Sequence, residues 1–198
     1  MTGRDRLRVG VVQMRSGEDI VTNLERMAEL AIEAVSAGCE LVAFPENCTQ
    51  LAKPAVRVAA AEELHGMQMG FIRKLAKQLS VHVLVGSFSE KSDDPERTWN
   101  TSVLVGADGA MNALYRKVHL FDVSVSEDTR LNESASTLAG PVDGLAVGDI
   151  DGWGVGLSVC YDLRFPELYR ALVTRGADIL AVPAAFTFRT GAAHWEVL

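Results

Sequence analysis

Gly154-Val155-Gly156-Leu157-Ser158-Val159-Cys160-Tyr161-Asp162-Leu163-Arg164-Phe165-Pro166-Glu167 is the stretch whose reading decides the fold. Its first half is apolar and spaced by glycine, as in a buried strand. The strand stops at Cys160, a polar turn follows, and a helix begins near Pro166. A thiol at that corner points outward at the end of a sheet, where open α/β sheets place their chemistry. The nearby helix N-terminus favours the thiolate over the thiol. Burial is the competing reading, because free cysteine is among the most buried residue types and most buried cysteines are inert. Cys39 and Cys48 fit that description. Cys160 differs because it ends a strand beside a polar Tyr-Asp pair.

Composition sets the outer bounds. The 198 residues suffice for one domain with a real core, taken as residues 1–198. A net charge of −7 with no basic stretch argues against nucleic acid and anionic membrane as partners. Apolar runs are too short to span a bilayer. Behind Met1-Thr2-Gly3-Arg4-Asp5-Arg6 lies no apolar stretch long enough for a signal peptide. Three cysteines are too few and too odd for a disulfide framework, which points to a reducing, cytoplasmic setting. The four histidines (His65, His82, His119, His194) are scattered and no Cys-x-x-Cys pair occurs, so neither a metal nor another cofactor is expected.

Outward from Cys160 the pattern alternates. Leu7 to Met14 reads as a buried strand, and Asp19 to Ser36 as a helix closed by Gly38. Leu41 to Phe44 reads as a strand stopped by Pro45-Glu46, Gly66 to Leu79 as a helix and Val81 to Phe88 as a strand. This order argues an α/β fold. Ala107-Asp108-Gly109 and Asp151-Gly152 then signal two hairpins. They join Trp99–Val105 to Gly109–Tyr115, and Leu145–Ile150 to Trp153–Val159. Ser124 to Ser136 reads as an exposed loop, Phe165 to Arg175 as a helix closed by Gly176, and Ile179 to Val182 as a strand. His194-Trp195-Glu196-Val197-Leu198 reads as the first turn of a further helix. A mixed sheet arrangement is expected rather than a pure parallel alternation.

A nucleophilic cysteine needs a base, a donor for the oxyanion and a group that serves the leaving amine. Glu46, after Phe44-Pro45, ends a strand at the same sheet edge as Cys160. Partial burial there would raise its pKa toward neutrality, suiting a general base, although a loop carboxylate is the plainer reading. Lys117 lies among apolar neighbours at a strand end, able to reach inward to a developing oxyanion; the plainer reading is a solvated lysine.

Together these pieces resemble the nitrilase superfamily, or carbon–nitrogen hydrolases. The resemblance is carried by Val9-Gly10-Val11-Val12-Gln13-Met14, Ala43-Phe44-Pro45-Glu46-Asn47, Tyr115-Arg116-Lys117-Val118-His119-Leu120-Phe121-Asp122, Cys160 through Glu167, and Pro183-Ala184-Ala185-Phe186 through Thr190-Gly191 to Ala193-His194-Trp195-Glu196. It implies a four-layer αββα sandwich of nitrilase type and a Glu-Lys-Cys triad at Glu46, Lys117 and Cys160. A second family glutamate maps onto Glu133, with Glu127 and Asp128 as nearby acids. Tyr161, Phe186 and Thr187 would contact substrate. The implied reaction passes through a thioester on Cys160. The backbone N–H of Tyr161 and Lys117 would hold the oxyanion, and Glu133 would orient Lys117 or the substrate.

Within the superfamily the chain looks like the Nit-type amidases, the branch of omega-amidase and deaminated glutathione amidase, and closer to the latter. The implied substrate is a small amide bearing a carboxylate and a 2-oxo group. The same triad would serve an omega-amidase, an N-carbamoyl amino acid hydrolase or a nitrilase, and a non-catalytic interaction module is the reading from another class. The resemblance also implies a homodimer through the helix after Cys160. Family members continue beyond the His-Trp-Glu segment, so the domain is expected to lack its C-terminal strands and to be marginally stable or inactive alone.

Overall fold

The computed structural model describes residues 6–126 and 129–198; Glu127 and Asp128, the acids beside Glu133, fall outside them. In chain order the first elements are β1 (Val9–Val11), α1 (Ile20–Ser36), β2 (Leu41–Ala43), α2 (Pro54–Ala60) and α3 (Met67–Leu79). Next come β3 (His82–Lys91), β4 (Thr98–Val105), β5 (Met111–Arg116), β6 (Asp122–Ser126), β7 (Thr129–Asn132) and β8 (Thr137–Leu138). The last are β9 (Val147–Ile150), β10 (Trp153–Leu157), α4 (Pro166–Thr174), β11 (Ile179–Ala181) and α5 (Phe188–His194).

Two sheets lie face to face. The larger runs β1-β2-β3-β4-β5, with β8 beside β4; the smaller runs β11-β10-β9. β1, β2 and β3 are parallel, as crossover helices require, while β3, β4 and β5 are antiparallel. Period-2 alternation sorts the core. Val83, Val85, Val103 and Val105 meet Leu24, Met27 and Ala31 of α1 and Met69, Ile72 and Ala76 of α3. Leu84 and Leu104, one residue out of phase, belong to a second cluster with Ile150, Val155 and Leu157, and with Leu168 and Leu172 of α4. The layers are therefore helix, sheet, sheet, helix, the expected αββα arrangement.

Glycine spacing in β10 has a packing cause. A Cβ on Gly156 would lie 3.2 Å from the Leu172 Cβ, and one on Gly154 would fall 2.0 Å from the Gly176 carbonyl oxygen. The face turned from the larger sheet is thus stripped so that α4 and its exit turn can lie on the strand. Gly176 itself takes φ 95°, the left-handed conformation that suits a residue ending a helix.

Three sequence expectations need correction, and one helix was unforeseen. β1 is not buried: among the described residues it pairs only with β2, and Val11 is 84% exposed. Ser124–Ser136 is not a plain loop, because β6 and β7 pair as a hairpin and a 3-10 turn at Glu133–Ala135 follows. Residues 194–198 do not begin a helix. Thr187 caps the N-terminus of α5 with its side chain, and the segment ends the helix. α2 was not expected; Pro54 starts it, but it buries no residue completely, so no apolar stripe announces it. Among the described residues no helix is long and apolar enough to cross a membrane.

Gly154→Ala is expected to cost about 1–3 kcal/mol through the clash with Gly176. Urea denaturation should show the lower midpoint; an unchanged midpoint would mean that α4 does not depend on the bare strand face.

Candidate active site

The loop after β2 brings Glu46 inward. Phe44 is buried and its N–H donates to the Leu84 carbonyl at 2.9 Å. Gly86, in the β-bulge between Val85 and Phe88, makes room: a Cβ there would come within 2.1 Å of the Phe44 carbonyl oxygen. Asn47 then turns left-handed at φ 54°, with its N–H on Ser87 Oγ at 2.8 Å. The backbone of Phe44-Pro45 can cross the sheet only because position 86 has no side chain.

Lys117 leaves β5 with its N–H on the Asn100 carbonyl at 2.9 Å, and only 1% of the residue is exposed. Its ammonium sits between two carboxylates, 2.9 Å from Glu46 Oε1 and 2.9 Å from Glu133 Oε2. Glu133 is held by the Phe121 N–H at 2.7 Å. Asn100 Nδ2 donates to both acids, at 3.0 Å to Glu46 and 3.2 Å to Glu133. The other oxygen of Glu46 accepts the Ala185 N–H at 3.0 Å, and the Cys160 thiol also hydrogen-bonds this carboxylate.

Cys160 itself takes φ 51°, unusual for a residue with a side chain. Its N–H donates to the Pro183 carbonyl at 2.9 Å. The 3-10 turn Cys160–Arg164 is pinned by Asp162, which is fully buried. Asp162 accepts the Val159 N–H at 2.8 Å, the Tyr115 hydroxyl at 2.9 Å and the His119 N–H at 3.1 Å, and contacts His119 Nδ1 at 2.7 Å. His119 stacks on Phe165 at a centroid distance of 3.6 Å. One carboxylate thus ties the turn that carries Cys160 to the segment that carries Lys117.

These charges interact strongly. Burial opposes the ionised form of Glu46, but the Lys117 charge and the donated hydrogen bonds outweigh it, so its pKa lies below the usual carboxylate range. Burial likewise opposes the Lys117 ammonium, and Glu46 and Glu133 overcome it, raising its pKa well above normal. Burial and the Glu46 charge push the Cys160 thiol up; Lys117 only partly compensates. Two sequence expectations are thereby corrected. Glu46 is not raised toward neutrality, because the Lys117 charge and the donated hydrogen bonds together outweigh burial. Cys160 is not favoured as thiolate, because α4 starts six residues later and desolvation dominates.

All seven candidate residues line one cavity of about 290 Å³. Glu46, Lys117, Glu133 and Cys160 form its polar floor. Tyr161 packs edge-on against Phe121 at 5.0 Å, and Phe186 against Trp195 at 5.4 Å. Thr187 is at the wall, but its hydroxyl bonds the Thr190 N–H at 3.3 Å in capping α5. Sequence reasoning missed Asn100, Asp162 and the Ala185 N–H. Asn100 gave a faint signal as an amide inside an otherwise buried strand. In the sequence Asp162 stands out only as part of a polar turn. Among the described residues, no group of three or more His, Cys, Asp or Glu is able to hold a metal ion.

Comparison with known proteins identifies the family. The chain matches the Carbon-nitrogen hydrolase family over residues 8–198. It is 40% identical over 189 residues to a protein of Synechocystis sp. (strain PCC 6803 / GT-S) named Deaminated glutathione amidase, covering 94% of this chain and 69% of that protein. It is 40% identical to the Homo sapiens protein of the same name, covering 96% of this chain and 59% of the relative. The crystal structure of the C. elegans NitFhit protein superposes with a TM-score of 0.85 at 33% identity, over 95% of this chain and 46% of that one.

Lys117→Met should expose the tension in this cluster. The pKa of Glu46 is depressed in the folded protein, so its stabilising share is complete above the ordinary value of 4.5 and is lost as pH falls through the folded value. Without Lys117, burial alone would raise that pKa, and folding would weaken as pH rises. The variant is expected to lose about 3–5 kcal/mol at neutral pH and to recover part of it toward about pH 4.5. Denaturation of both proteins across that range measures the difference; a deficit independent of pH would contradict the ion-pair account.

Proposed function

This chain belongs to the carbon–nitrogen hydrolase family, and from that premise we propose that it hydrolyses a small carboxylate-bearing amide through a thioester on Cys160. The observation that carries the reading is the convergence of Glu46, Lys117 and Glu133 on Cys160 in a single cavity. The relatives named deaminated glutathione amidase favour an amide that also bears a 2-oxo group.

The resting charges set the order of events. Glu46 is ionised and Cys160 is a neutral thiol, so the proton moves to Glu46 only as Sγ attacks the amide carbon. The carbonyl oxygen becomes an oxyanion, held by the Lys117 ammonium and the backbone N–H of Tyr161. Such donors are worth about 100- to 1,000-fold each in other acyl-transfer sites. Collapse expels the amine or ammonia, which takes the proton from Glu46 and leaves the thioester. Water then enters, gives a proton to Glu46 and attacks the same carbon. The second collapse releases the acid, and the departing sulfur recovers the proton. Glu133 keeps Lys117 aimed while Glu46 changes protonation.

Cys48 is a poor alternative nucleophile: it is fully buried, and burial pushes its pKa up to about 12. The test is incubation with amides, nitriles and N-carbamoyl amino acids, read by intact and peptide mass spectrometry. An acyl adduct on Cys160 from the amides is expected. Cys160→Ala should abolish the adduct and lower turnover by at least about 1,000-fold. Labelling of Cys39 or Cys48, or turnover confined to nitriles, would sink the proposal.

A further inference from the structure

Among the described residues, the cavity holds more positive than negative charge. Lys117, Arg57 and Arg164 line it against Glu46 and Glu133, and both carboxylates are already engaged by Lys117. This surplus stands out in a chain whose net charge is −7. Arg164 contacts His194 Nδ1 through Nη2 at 2.8 Å, while its buried Nε has no partner. Arg57 is half-buried on α2, and its guanidinium makes no hydrogen bond or ion pair among the described residues. The rest of its segment offers the cavity only Leu51, Ala52 and Pro54.

A guanidinium drawn partly out of water without an acceptor forfeits hydrogen bonds it would otherwise make. Its planar fork matches a carboxylate through two parallel N–H···O bonds, and reduced solvent access strengthens that pairing. Among the described residues, no carboxylate of the cavity is left to take this role. We propose that Arg57 is a specificity-determining residue that binds a substrate carboxylate remote from the scissile amide. The proposal rests on the amidase reading of the same cavity. Of the two extra cations Arg57 is the better candidate, because Arg164 is part-occupied by His194 and belongs to the turn that positions Cys160. The substrate would then neutralise the surplus charge, and its anionic end would set the distance from α2 to Cys160.

Glutaramate and glutaramide test this, since they differ mainly in a carboxylate against a neutral amide. The wild-type protein should prefer glutaramate in kcat/KM. Arg57→Gln is expected to cut that preference about 10- to 100-fold, mainly through KM, with Arg57→Lys between the two because it keeps charge but loses the fork. Arg26→Gln, on an exposed residue paired with Glu29, serves as the control and should leave the preference unchanged. Calorimetric titration with glutarate, which needs no turnover, should show the same 10- to 100-fold weakening in Arg57→Gln. Equal glutarate affinity, or an equal loss on both amides, overturns the proposal. Failure of the wild-type protein to turn over either amide counts against the amidase reading alone, because the glutarate titration still decides the role of Arg57.

Discussion

The arrangement depends on one buried cation. Lys117 is almost wholly removed from water, and only two carboxylates supplied by distant segments make that tolerable. An isolated ammonium in such a place would shed its proton or unfold the site. Glu46 arrives from the end of β2, Lys117 from the end of β5, and Glu133 from the turn after β7. Asn100 of β4 donates to both acids and holds their spacing. Removing Lys117 leaves two like charges facing one another, and removing either carboxylate leaves the buried ammonium with a single counter-ion. The candidate catalytic cluster is therefore also a fastening of the larger sheet, and chemistry and folding draw on the same contacts.

A second fastening joins that cluster to Cys160. Asp162 reaches Val159 behind Cys160 and Tyr115 and His119 on either side of Lys117. It holds the Cys160 turn, whose left-handed backbone would otherwise relax. The smaller sheet contributes through absence: Gly154 and Gly156 let α4 settle on β10, so the strand ends at a fixed height beneath the cavity. Gly86 does the same under Glu46. Site geometry is thus written partly in side chains and partly in positions where a side chain would not fit.

This division explains what could be read from sequence. Helices α1, α3 and α4 show period-3.6 stripes, and the two hairpins carry Asp-Gly turns, so they were legible within a residue or two. Cys160, Glu46 and Lys117 were legible because each ends an apolar run, and family resemblance then grouped them with Glu133. The β6–β7 hairpin was not, because its short strands mix Val123, Val125 and Leu131 with polar residues and no Asn-Gly or Asp-Gly pair joins them in the sequence. The exposure of β1 was hidden because an apolar run looks alike in a central and an edge strand. The direction of the Glu46 shift was misjudged for a physical reason. Burial was weighed alone, while the opposing charge lies 71 residues away in sequence at 2.9 Å.

The same coupling bears on how a carboxylate with a lowered pKa serves as base. At rest Lys117 stabilises the ionised form of Glu46, which makes it weakly basic toward a thiol whose pKa is raised. In the proposed reaction the carbonyl oxygen acquires negative charge beside the same ammonium. Lys117 then divides its hydrogen bonds and its field between Glu46 and the oxyanion. Its hold on Glu46 weakens, so the carboxylate grows more basic as the thiol proton is released. Glu133 matters at this point, because a second fixed carboxylate keeps Lys117 charged and in place while Glu46 is neutral. The low resting pKa and the base role are therefore compatible, provided proton transfer and C–S bond formation proceed together.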